Sequence, residues 1–177
     1  EIAGELGADN LTGGAGADDF HVGNDTSNDT VNDFDWGAAI GTTTVDQVEI
    51  LANYLGGADG ADAAAGLQTG AAFAQTVTVA TGVVGIGATT DVAIFTGTTY
   101  NNAAALDTAL EALAAGTVTQ DFFAFYQDGF GNTRMAIAES DGNEDGADFT
   151  VTDVYTFTGV TIGSIAGLID TGDFIVV

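Results

Sequence analysis

Two stretches near the start of the chain, GELGADNLT (4–12) and GGAGADDFH (13–21), superimpose glycine on glycine and aspartate on aspartate. Gly4, Gly7, Asp9 and Leu11 stand over Gly13, Gly16, Asp18 and Phe20, an internal repeat of nine residues. A short fixed period constrains the chain to stack equivalent units, because one unit alone cannot bury its apolar face. Each glycine in an ordered segment costs roughly 0.5–1 kcal/mol relative to alanine, so turns this rich in glycine need a compensating interaction. Glycine opens backbone conformations closed to other residues and lets carbonyl oxygens turn inward, while aspartate adds a charged oxygen. An all-oxygen shell of about six to eight ligands suits Ca²⁺. The large apolar residue two positions after the aspartate, Leu11 or Phe20, then enters a short strand and packs inside. The competing reading of the same residues is a Gly/Asp turn without an ion. A third unit, VGNDTSNDT (22–30), keeps an early glycine and several carboxylates but loses register, and reads as a terminating turn.

Charge is the second constraint. The 177 residues include 26 aspartates and glutamates, one arginine (Arg134) and no lysine, for a formal net charge of −25. A compact state of such a chain repels itself, and one arginine cannot offset that through ion pairs. Metal cations are the simplest countercharge. The same charge argues against nucleic acid and anionic membrane surfaces as partners. Yet 46% of the residues are hydrophobic, with 11 Phe, 4 Tyr and 1 Trp, so the chain has core material and is not an acidic disordered tail. No cysteine is present, which removes disulfide and thiolate chemistry. No apolar run approaches the ~18 residues of a membrane-spanning helix. The chain opens on Glu1 without a visible cleavable leader, and the expectation is a processed product or a piece of something longer.

Along the chain, texture divides a Gly/Asp/Asn-rich region, 1–38, from a β-rich region, 39–177. In the second region VDQVEI (45–50), AQTVTVATGVV (74–84), DVAIFTG (91–97), QDFFAFYQ (120–127), TRMAIAES (133–140), FTVTDVYTFTGV (149–160) and DFIVV (173–177) read as roughly alternating strands between Gly/Asn/Asp turns. The clearest hairpin has its turn over Asp128–Asn132. One surface helix is expected at about 102–115, from Leu106, Leu110 and Leu113, an Asn N-cap and Gly116 as a stop. GGADGADAAAG (56–66) is a low-complexity loop of unassigned shape.

The nine-residue pattern G-G-x-G-x-D-x-U-x, with U large and apolar, is that of the calcium-binding parallel β-roll. Residues 13–21 fit it throughout with Phe20 as U, and residues 4–12 fit it except that Glu5 replaces the second glycine. The segment resembles the RTX family, the hemolysin-type calcium-binding repeats of proteins exported by bacterial type I machinery. The likeness extends to Asp29-Thr30-Val31-Asn32-Asp33-Phe34, to Asp46-Gln47-Val48-Glu49-Ile50, and to the C-terminal Asp173-Phe174-Ile175-Val176-Val177, which resembles the end of an uncleaved secretion signal. The resemblance implies an all-β fold: a short calcium-binding parallel β-roll at the N-terminus, followed by a β-sandwich or β-rich region with the one helix. It does not cover the insertion at about 51–120. It further implies ions held between units i and i+2. The 4–9 turn would then face Gly23-Asn24-Asp25 and the 13–18 turn the Asn32–Asp35 region. On that basis Asp9, Asp18, Asp25 and Asp33 are the expected carboxylate ligands, carbonyls come from Gly4, Gly7, Gly14 and Gly16, and Asp29 and Asp35 stand in reserve. Asp19 is expected to point to solvent.

A second calcium candidate is Asp141-x-Asn143-x-Asp145-Gly146, the first half of an EF-hand-like loop, with Asp148 close behind. Thr152 occupies the position where such a loop carries its bidentate Glu, so an ordinary acidic hairpin turn competes evenly with it. Asp59 and Asp62 are weaker candidates of the same kind.

Catalytic constellations are missing from the pattern. His21 is the single histidine and stands at the variable last position of its repeat; Ser27, Ser140 and Ser164 lie outside any nucleophile elbow. There is no HExxH zinc motif. Phe34 and Trp36 are expected to cap the core of the roll and Arg134 to bond nearby carboxylates. Threonine-rich TVTVAT (76–81) could present a hydroxyl array to ice or to cell-surface polysaccharide, although half-buried sheets use threonine routinely. The expectation is therefore not an enzyme. It is a secreted, calcium-dependent structural protein that self-assembles into a homo-oligomeric lattice or filament through β edges and calcium bridges, as bacterial surface-layer proteins do. The alternative is the calcium-folding and type I secretion module of a larger protease, lipase or adhesin.

Overall fold

The apolar residues of the N-terminal repeats enter short strands that are dealt alternately to two sheets. These are β1 (Ile2–Ala3), β2 (Asn10–Leu11), β3 (Asp19–Val22), β4 (Asp29–Val31) and β5 (Gln47–Ile50). The computed structural model describes residues 1–22, 27–37, 45–50, 77–87, 90–114, 118, 121–140, 149–169 and 173–176. Ile2 pairs in parallel with Phe20, two nine-residue units further on. Leu11 pairs with Val31 and Phe20 with Val48, so the spacing lengthens as the turns take up extra residues. Phe20, Val22, Leu11 and Val31 are buried, while Asp19 and His21 stand on the outer face between them.

The remaining strands are β6 (Val77–Ala80), β7 (Val92–Thr99), β8 (Phe122–Gln127), β9 (Thr133–Ser140), β10 (Phe149–Phe157) and β11 (Phe174–Val176). Among the described residues, one sheet runs β1-β3-β5-β11 and the other β2-β4-β10-β9-β8-β7-β6. Strands from both sides of position 38 therefore share each sheet. The described residues are mostly β, with helix α1 (Ala103–Glu111), a short helix α2 (Ile162–Ile165) and a 3-10 turn at Val83–Gly85.

Two apolar layers hold these pieces. Facing side chains of the two sheets, including Phe20, Val48 and Phe174 against Phe125, Met135 and Phe157, share one cluster with α2. Phe34 and Trp36 pack in that cluster, their rings 4.3 Å apart and Trp36 edge-on to Phe125 and Phe157. Expected as caps of the roll, they join the repeats to the larger sheet. On the other side of that sheet Leu106 and Leu110 of α1 pack on Phe95, Phe122, Ala124 and Tyr126.

β7, β8 and the helices differ from what their residues predict. β7 and β8 do not alternate: VAIF and FFAFY are buried on both faces because sheet and helix cover them. They run parallel, and α1 is the crossover that parallel pairing requires. The helix itself stops at Glu111, short of the expected 115, and α2 adds a second helix where one was expected. The Asn N-cap holds: Asn102 Oδ1 accepts the Ala105 N–H at 3.0 Å. So does the 128–132 hairpin, in which Asp128 N–H donates to the Asn132 carbonyl at 2.9 Å.

Candidate metal centre

The turns that join the first strands are built on two kinds of glycine. Gly7, Gly14 and Gly16 have φ of 104°, 91° and 127°, in the left-handed region that side chains disfavour. Glu5, which replaces the second glycine of its repeat, is forced to φ 62°. Its equivalence to Gly14 is therefore conformational as well as positional. Gly4, the first glycine of its repeat, is required for space: a Cβ there would lie 2.5 Å from Asp29 Oδ2. At the equivalent Gly13 a Cβ would lie 3.0 Å from Asp18 Oδ2.

The repeat aspartates occupy matching positions in the two sheets. Continuing the β2·β4 register back one residue sets Asp9 opposite Asp29; the Asp9 carbonyl accepts Thr30 N–H at 2.8 Å, and Asp9 N–H donates to Asp29 Oδ1 at 2.9 Å. In the other sheet Asp18 stands opposite Asp46 in the same way. Its carbonyl accepts Gln47 N–H at 2.8 Å and its N–H donates to Asp46 Oδ1 at 3.0 Å. In both cases the second oxygen, Asp9 Oδ2 or Asp18 Oδ2, is buried and has no hydrogen-bond partner. A buried, unpartnered carboxylate oxygen is costly unless a cation or donor satisfies it.

Asp33 faces the 13–18 turn as expected, but its oxygens accept Gly13 and Gly14 N–H, each at 2.9 Å. Each oxygen retains a lone pair, so Asp33 clasps one turn to the next and can still face an ion. Asp35 Oδ1 accepts Gly37 N–H, and Asp35 N–H donates to Asp46 Oδ2, both at 2.9 Å. Burial raises the Asp46 pKa above its ordinary value; N–H groups from Asp35 and Asp18 oppose this, and the charges of Asp18 and Asp35 add to it. Three carboxylates thus crowd one end of the sheet. Asp46 was not among the expected ligands, although the Asp46-Gln47-Val48-Glu49-Ile50 run pointed to it. Asp25, Asp141, Asn143, Asp145 and Asp148, with Asp59 and Asp62, lie outside the described residues.

The donor set fits a hard divalent cation. Among the described residues the turns offer carboxylate and carbonyl oxygens, and Ca²⁺ takes both, together with water. Among the described residues no group of three or more His, Cys, Asp or Glu side chains forms a ready-made metal shell. A turn site that draws mainly on carbonyls does not need one. Nor can the chain's own cation help: Arg134 is held by Asp128 at 3.1 Å and Asp153 at 3.0 Å.

The other candidate surface is the threonine face. Thr96 and Thr98 hydroxyls donate to the Ala80 and Thr81 carbonyls at 3.3 and 2.8 Å, and Thr78 and Thr90 share a bond of 3.1 Å. His21 stands in register with Ala3 and Glu49, and its buried Nε2 has no partner. Among the described residues no helix is long and apolar enough to cross a membrane. No family model matches the chain, and no curated protein or solved structure matches it.

Proposed function

We propose that residues 1–50 form half-turns of a calcium-binding β-roll, and that the whole chain is a secreted structural protein that assembles in a calcium-dependent way. The observation that carries this reading is the pair of matching aspartates, Asp9 and Asp18, each with one buried oxygen lacking a donor at the same place in successive turns. Calcium would satisfy those oxygens, offset part of the −25 charge and let copies approach one another. Because ions bind the folded turns and not the unfolded chain, stability and assembly rise with calcium by mass action. Cell-surface polysaccharide is a further partner consistent with this reading.

A second reading is favoured by the sheet edges. Among the described residues β1 and β2 are both outermost in their sheets, so a further turn could stack on them, as in the secretion module of a longer RTX protein. Electron microscopy of the purified chain with millimolar Ca²⁺ and with EDTA separates the two. Sheets or filaments that dissolve on chelation support the structural protein, and a calcium-folded monomer that never assembles supports the module. A protein that neither binds calcium nor assembles contradicts both.

A further inference from the structure

The Asp9–Asp29 pair has a third neighbour that the repeats do not supply. Tyr155 of β10 pairs in register with Asp29 of β4, so Asp9, Asp29 and Tyr155 form one row across β2, β4 and β10. The next row along the same face is Leu11, Val31 and Phe157, all buried in the shared core. The polar row is therefore also inward-facing, at the end of that core. Asp29 is only 5% exposed and Tyr155 only 1%. The Tyr155 ring lies against Phe157, centroids 6.0 Å apart, yet its hydroxyl is buried with no hydrogen-bond partner. A phenylalanine would fill the same space without burying an unsatisfied hydroxyl. Two oxygens of this row, Asp9 Oδ2 and the Tyr155 hydroxyl, are thus each buried without a partner, on the two strands that flank Asp29.

We propose that this row is the position of one divalent cation, bounded by the carboxylates of Asp9 and Asp29 and by the hydroxyl of Tyr155. The inference rests on the calcium reading above and deepens it by bringing in a residue more than a hundred positions from the repeats. Burial and then the Asp29 charge disfavour ionisation of the phenol in the ion-free chain. The phenol offers a lone pair to the ion or a proton to a ligating oxygen. The ion would then tie the repeat stack to β10, so that filling the turn also docks it on the larger sheet. Gly4 fits this arrangement, since any side chain there would displace Asp29.

The test is calcium titration by calorimetry on the full chain at matched ionic strength, comparing wild type, Tyr155→Phe and Asp18→Asn. Tyr155→Phe is expected to weaken one class of sites by about tenfold while leaving the other. Asp18→Asn should weaken only the other class. In EDTA, Tyr155→Phe should be at least as stable as wild type, since it removes an unpartnered hydroxyl. Wild-type affinity at every site in Tyr155→Phe, with Asp9→Asn and Asp29→Asn both weakened, would overturn the proposal and leave the calcium reading standing. A wild type that binds no calcium removes both. Should Tyr155→Phe fail to fold, tyrosine-sensitised Tb³⁺ emission decides instead. It should be lost in Asp29→Asn and kept in Asp18→Asn, and emission kept in both contradicts the proposal.

Discussion

At the scale of single residues, the repeat assigns its glycines two separate tasks. The first glycine makes room for a carboxylate, and the second and third adopt left-handed backbone. The two tasks predict different penalties. Gly14→Ala meets open space and should cost about 1 kcal/mol, from backbone strain alone. Gly4→Ala must push Asp29 away from Asp9, so thermal melts should show a larger loss and calcium titration a weaker midpoint. Glu5 supplies the converse case. Holding a non-glycine residue at φ 62° stores strain, so Glu5→Gly should stabilise the protein by about 1 kcal/mol. An unchanged or lowered melting temperature would show that Glu5 makes a compensating contact.

At the scale of elements, the β8–β9 hairpin and β10 carry the side-chain ion pairs found among the described residues. Arg134 lies between Asp128, whose side chain is fully buried, and Asp153, which also accepts the Tyr126 hydroxyl. Removing the guanidinium leaves two carboxylates facing each other, and Arg134→Met should cost about 3 kcal/mol in a denaturant melt. Burial opposes ionisation of Asp128, but N–H groups of Asn132 and Phe130, the Asn132 amide and Arg134 outweigh it and hold its pKa below the ordinary value. A depressed folded-state pKa contributes stability that is present above the unfolded value of about 3.9 and lost as pH falls through the folded one. Asp128→Asn should therefore lower stability at neutral pH and flatten its loss on the acid side. Elsewhere, Asn102→Ala should cost about 1 kcal/mol by uncapping α1.

At the scale of the whole molecule, what was legible in the sequence is what short-range physics dictates. The hairpin follows from its Asp-Gly-Phe-Gly-Asn turn at 128–132, α1 from an Asn cap and leucines at helical spacing, and the repeat register from Gly and Asp period alone. Long-range pairing left no such mark. The parallel order of β7 and β8 depends on α1 crossing between them, and Tyr155 meets Asp29 only because β10 inserts beside β4. Asp46 was masked by its strand context: it reads as the start of β5, and its partnership with Asp18 follows from sheet pairing. The central claim is that divalent ions satisfy the buried carboxylate oxygens of the stacked turns and so hold an almost wholly anionic chain together. Hydrogen–deuterium exchange on the full chain, calcium-saturated and chelated at equal ionic strength, tests it most directly. Chelation should abolish protection over 1–22, 27–37 and 45–50 while the β8–β9 hairpin and α1 retain most of theirs. Identical exchange in the turns with and without calcium would contradict it.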